Sequence, residues 1–111
     1  MLIQLNQQEQ LLFDDCVKLN TVQSQMRQYN EEAAEGLLAL AKYQRMLEWG
    51  SKEEADEALM EWKKEMADNI IMNLQMAHIF GMDDVLATIE YKLQRQQGRI
   101  NKKKAQIQTQ Q

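Results

Sequence analysis

Two pairs of acids, Glu32 with Glu35 and Glu65 with Asp68, are the residues whose types and spacing could do chemistry. Residues three apart on a helix share a face, so each pair presents two carboxylates together. The first pair sits in NEEAAEG, residues 30–36, with a further acid, Glu31, beside it; the second sits in KKEMADN, residues 63–69. Four carboxylates in one place repel, and some must stay protonated or be neutralised by a cation. An all-oxygen ligand set selects hard divalent metals, so Mg²⁺ or Mn²⁺ is favoured over zinc or copper. A di-iron bundle would ask for a Glu-x-x-His pair on each of two helices. The one histidine, His78, has Gln75 three positions before it, which disfavours that route. The plainer alternative is that both pairs belong to solvated faces of a chain with 17 acidic residues.

Whether the pairs meet depends on the elements that carry them. The 111 residues include no proline and only four glycines, and Ala, Leu, Met, Gln, Glu and Lys dominate. These side chains lose little rotamer freedom in a helix, so helix is expected nearly throughout. The first helix is expected over about 7–19, with Leu11, Leu12 and Val17 inward. LNTVQ interrupts it, and Thr21 or Ser24 is placed to cap the second helix, about 23–48. Met26, Ala33, Leu37, Leu40 and Ala41 recur there at helical spacing. Gly50 suits the left-handed conformation that ends a helix. Ser51 with Glu54 three on reads as a capping box opening the third helix, about 52–80. Its apolar stripe is Leu59, Trp62, Met66, Ile70, Leu74 and Ala77. Gly81 stops it, and Asp83 or Asp84 is placed to cap a fourth helix that runs to about Arg95 or beyond, with Val85, Ile89 and Leu93 on its inner face.

The expected fold is all-α: an antiparallel helical hairpin plus flanking helices in a four-helix bundle. It forms a single domain over 1–100, followed by a polar Lys- and Gln-rich tail over 101–111 that either continues the helix or is disordered. Gly50 is the midpoint between the centres of the two acidic pairs. Residues equidistant from an antiparallel turn stand at one height. The hairpin would therefore bring all four carboxylates level, if both faces point inward.

Composition bounds the rest. A formal charge of −4 argues against a nucleic-acid binder, and Lys102–Lys104 reads as a solvated end. A single cysteine, Cys16, makes no internal disulfide and suits a cytoplasmic protein. No apolar run approaches the roughly 20 residues of a membrane span. MLIQLNQQEQ lacks the basic and apolar regions of a signal peptide. Met60, Met72, Met76 and Ile79 suggest a second buried face on the third helix, which a homodimer or homotetramer would cover.

The residues resemble a family. EEAAE on one long helix followed by EMAD on the next is similar to the EExxE…ExxD signature of MazG-like nucleoside triphosphate pyrophosphohydrolases, within the all-α NTP pyrophosphatase superfamily. EEAAEGLLALAKYQR, EMADNIIMNLQMAHIFGMDDV and IEYKLQRQQGRI extend the likeness over about residues 23–100. The resemblance implies Mg²⁺-dependent hydrolysis of a (d)NTP to (d)NMP and pyrophosphate. It implies Glu32, Glu35, Glu65 and Asp68 as metal ligands. The metal would bridge carboxylates to phosphate oxygens and activate water. Glu31 and Glu35 would be the catalytic acids, Glu31 as a further ligand, a supporting acid or the base that orients water. Lys92 and Arg95, three apart on the last helix, are phosphate-binding candidates together with Lys42. The base-binding residues stay unassigned, with a purine such as dGTP or GTP, or a broad range, favoured. Gly36 stands where the family usually carries a bulky apolar residue, and Met72 where some members carry tyrosine. The alternative is a non-catalytic helical interaction or nucleotide-binding protein of the same fold.

Overall fold

The computed structural model describes residues 4–110. Residues 1–3 of the expected domain and residue 111 of the tail lie outside them. Four helices follow in order: α1 (Gln7–Asn20), α2 (Val22–Trp49), α3 (Lys52–Phe80) and α4 (Met82–Gln110). There is no strand among the described residues. They form two units, one of α1 to α3 over Leu5–Phe80 and one that holds α4.

Local chemistry explains the boundaries. Asn6 opens α1 with a capping box: its side chain accepts from the Glu9 N–H at 2.8 Å, and the Glu9 carboxylate accepts from the Asn6 N–H at 3.0 Å. Thr21, at φ 60°, separates α1 from α2 and caps the latter by accepting from the Ser24 N–H at 3.2 Å. Between α2 and α3 stand only Gly50 and Ser51, and the Ser51–Glu54 capping box is formed, with bonds of 3.1 and 3.2 Å.

Gly50 corrects one expectation. Its φ of −95° and ψ of 173° are extended, not left-handed. What the turn requires there is space. A Cβ at Gly50 would lie 3.0 Å from the Met46 carbonyl oxygen and 2.9 Å from its sulfur. Asp83 and Asp84 also differ from expectation. Both lie inside the first turn of α4, where their charge suits the helix dipole, and Gly81 at φ +132° precedes the helix instead. The polar tail continues α4 as far as Gln110.

In the first unit α2 and α3 form an antiparallel hairpin. Moving away from the turn, Tyr43 stacks on Trp62 with ring centroids 5.8 Å apart, and Lys42 pairs with Glu61 at 3.3 Å. Next Gly36 meets Asn69, and beyond the acidic pairs the Tyr29 hydroxyl donates to Asn73 Oδ1 at 3.0 Å. Furthest out, the buried Gln75 amide donates to the buried Gln25 carbonyl oxygen. α1 packs against both helices. Phe13 is its buried residue, and Asp14 Oδ1 lies 2.7 Å from His78 Nε2 on α3.

The core is narrower than the periodicity suggests. Leu11 and Leu12 are exposed, and Phe13, which the spacing argument passed over, holds α1 down. On α2, Leu37 is 70% exposed, whereas Gln25 is buried. On α3, Ala55, Ala58, Met72, Gln75 and Ala77 are buried and Ile70 is exposed. Met72 therefore belongs to packing within the chain and not to an outer face. Small residues, Ala55, Ala58 and Ala77, take much of the buried surface of α3, and several larger side chains stay outside.

Candidate metal centre

Glu32 comes from the middle of α2, Glu65 and Asp68 from the middle of α3. Their backbones are held by uninterrupted helix. The Gly36–Asn69 contact, level with the acids, and the Tyr29–Asn73 bond beyond them tie the two helices together. One carboxylate oxygen from each of Glu32, Glu65 and Asp68 lies within 4.8 Å of the others. Glu32 Oε2 and Glu65 Oε2 are buried and have no hydrogen-bond partner. Such oxygens are costly to leave unmatched.

Both glutamates respond to that environment. Loss of water raises the Glu32 carboxyl above the ordinary value of 4.5, and the negative charges of Glu35, Asp68, Glu65 and Glu31 add to the rise. Glu65 is raised in the same way, first by lost solvation and then by Glu35 and Asp68. Repulsion of this kind is what a divalent cation relieves. Hard oxygen donors from three residues, two of them with orphaned oxygens, fit Mg²⁺ or Mn²⁺.

The sequence-derived residues distribute as follows. Glu32, Glu65 and Asp68 are brought together. Glu35 stands outside that three-oxygen group but exerts the foremost electrostatic influence on both Glu32 and Glu65. Glu31 is exposed on the flank of α2 and acts on Glu32 alone of the two. Lys42 lies nearer the turn, where its ammonium donates to Glu61. Lys92 and Arg95 are exposed on α4, with the Arg95 guanidinium 6.0 Å from the centre of the Tyr91 ring.

Two recesses adjoin the acids and share Gln28 and Glu32. One, of about 240 Å³, is lined by Cys16, Asn20, Gln25, Gln75 and Met72, with Asp68 also at its wall. The other, of about 440 Å³, is lined by Ser24, Arg27 and Glu31 besides the shared pair. Arg27 and the amides of Asn20, Gln25, Gln28 and Gln75 were missed by sequence reasoning. Arg27 had a legible signal, since it lies one helical turn before Glu31 on the same face. The buried glutamines had none, because a glutamine at helical spacing reads as surface.

Gly36 has a structural explanation. A Cβ there would lie 2.5 Å from the Asn69 amide nitrogen, which donates to the Glu65 carbonyl oxygen at 2.9 Å. The missing side chain on α2 makes room for a polar one on α3, at the residue that follows Asp68. No family model, curated protein or solved structure matches the chain.

Proposed function

We propose that this chain is a Mg²⁺-dependent nucleoside triphosphate pyrophosphohydrolase, converting a (d)NTP and water to (d)NMP and pyrophosphate. The observation that carries the reading is the convergence of Glu32, Glu65 and Asp68 oxygens, with one oxygen of each glutamate buried and without a partner. In this reading Glu32, Glu65 and Asp68, with Glu35 beside them, hold Mg²⁺, for which Mn²⁺ substitutes. When bound, the cation would offset the charge of the triphosphate and make an adjacent water more acidic.

The chain's own groups do the remainder. Glu31 and Glu35 flank the group on α2 and orient the attacking water as acceptors. Lys92 and Arg95 bind phosphate oxygens; Lys42 does so only after leaving Glu61. Arg27, in the recess of Glu31 and Glu32, joins them as a bidentate donor. The amides lining the smaller recess offer donors and acceptors of the kind a base edge pairs with, in keeping with a purine or broad (d)NTP substrate. The protein works in the cytoplasm. Its helices complete a four-helix bundle and associate as a homodimer or homotetramer.

The test is a panel of (d)NTPs with Mg²⁺ or Mn²⁺, with products separated by chromatography. Pyrophosphate release is expected, with Glu35→Gln and Asp68→Asn each slowing turnover by about 10²-fold or more. Full turnover in both variants would displace the site. The second reading, a nucleotide-binding protein without turnover, draws on Glu35 standing outside the three-oxygen group. It is distinguished by a Mg²⁺-dependent gain in melting temperature with no pyrophosphate from any triphosphate.

A further inference from the structure

The formal charge of −4 conceals a separation. Six of the 13 basic residues lie in 92–104, and no acid follows Glu90. The rest of the chain keeps seven basic residues against all 17 acids. The basic segment is a single helix, and every residue from Tyr91 to Gln110 is exposed. Helical geometry places Lys92, Arg95, Arg99, Lys102 and Lys103 within an arc of about 100°, along a rise of about 16 Å.

Three features say what such a stripe fits. Tyr91 opens it, 61% exposed, with Arg95 over its ring, so an aromatic face stands at the end of the cationic row. Gly98 interrupts the helix face between Arg95 and Lys102. A Cβ there would meet nothing within 4 Å among the described residues. Its bare backbone leaves a gap through which a phosphate can approach between two cations. Gln96 and Gly98 border the arc, Gln94, Gln97 and Asn101 lie on the opposite face, and no carboxylate follows Glu90 to repel an anion. The apolar strip on the other side, Leu93, Ile100 and Ile107, places one residue every two turns. That is thin for membrane insertion. Pairing with a second copy through the same strip would set cation against cation and put Gln96 and Lys103 into the seam.

We propose that the distal half of α4 is a nucleic-acid-binding helix whose basic stripe, Lys92 to Lys103, tracks the phosphodiester backbone without reading sequence. Affinity arises from counterion release, and Gly98 admits the backbone to the helix surface.

The test uses the full chain and a fluorescent mixed-sequence oligonucleotide, as single strand and as duplex, followed by anisotropy across a salt titration. Saturable binding of either form is expected, with log affinity falling against log salt at a slope steeper than about −2. Arg99→Gln with Lys102→Gln and Lys103→Gln should weaken binding at least about tenfold and flatten that slope by about 2, with helix content by circular dichroism unchanged. Gly98→Leu favours the helix, so weaker binding in that variant supports the gap directly. Absence of binding to both forms at low salt, or equal binding by the triple variant, would overturn the proposal. So would attachment to phosphatidylserine vesicles, or a dimer lost in Leu93→Gln with Ile100→Gln, if neither oligonucleotide binds. None of these readouts depends on pyrophosphate release, so either proposal can fail alone.

Discussion

Glu32 and Glu65 carry the strongest physical tension in the molecule. Each has a raised pKa and a buried oxygen with no partner. A carboxyl whose pKa is raised by folding is protonated more readily in the folded chain than in the unfolded one. Its stabilising contribution is complete below the unfolded value, near 4.5, and is lost as pH rises through the higher folded value. Without divalent metal, the melting temperature should therefore carry a component that falls as pH climbs above about 4.5. Glu32→Gln should remove part of that fall and raise the metal-free melting temperature at pH 7. Mg²⁺ should oppose the fall in the parent chain and protect the variant less. A calorimetric series in pH, with and without Mg²⁺, reads all of this; an unchanged profile in Glu32→Gln would detach the acid from the cluster.

The α2–α3 hairpin is the element that turns sequence spacing into a site. Its turn, its capping box and the pairing of acids around Gly50 were legible because each follows from a local rule: small residue, Ser with Glu three on, equal distance from the turn. What was not legible is which positions the packed helices bury. Periodicity ranks Leu37 and Ile70 as core, but burial falls on Ala55, Ala58 and Met72 and leaves both exposed. Glu35 shows the same limit at the site. Spacing puts it on the face of Glu32, yet it is exposed and its oxygens stay out of the three-residue group. The Gly36–Asn69 contact offers a measurement at this scale. In an Asn69→Ala background, Gly36→Ala should stabilise by about 1 kcal/mol through helix propensity. With Asn69 present, that gain should shrink or reverse, because the new methyl meets the amide that Glu65 holds. Urea denaturation of the four chains gives the coupling.

At the scale of the molecule, no described helix is long and apolar enough to cross a membrane. The hairpin nevertheless leaves Leu37, Leu38 and Leu47 of α2 and Ile70 and Ile71 of α3 at least half exposed. Apolar surface of this extent on a small helical unit favours association with a second copy. Sedimentation should give a mass of two or four chains, and Leu37→Glu with Leu38→Glu should shift it toward one. A monomer in the parent chain would refute the assembly while leaving the acidic group intact.

The buried Gln25–Gln75 bond adds a consequence for how that hairpin finds its alignment. Sliding α2 past α3 by one helical turn would still bury apolar groups against one another, so greasy contact alone tolerates the error. The slip would strand two amides away from water and pull Glu32 away from Glu65 and Asp68. The glutamines thus act as a combination lock: they reject the neighbouring settings, and the one setting they accept is the one that assembles the acids.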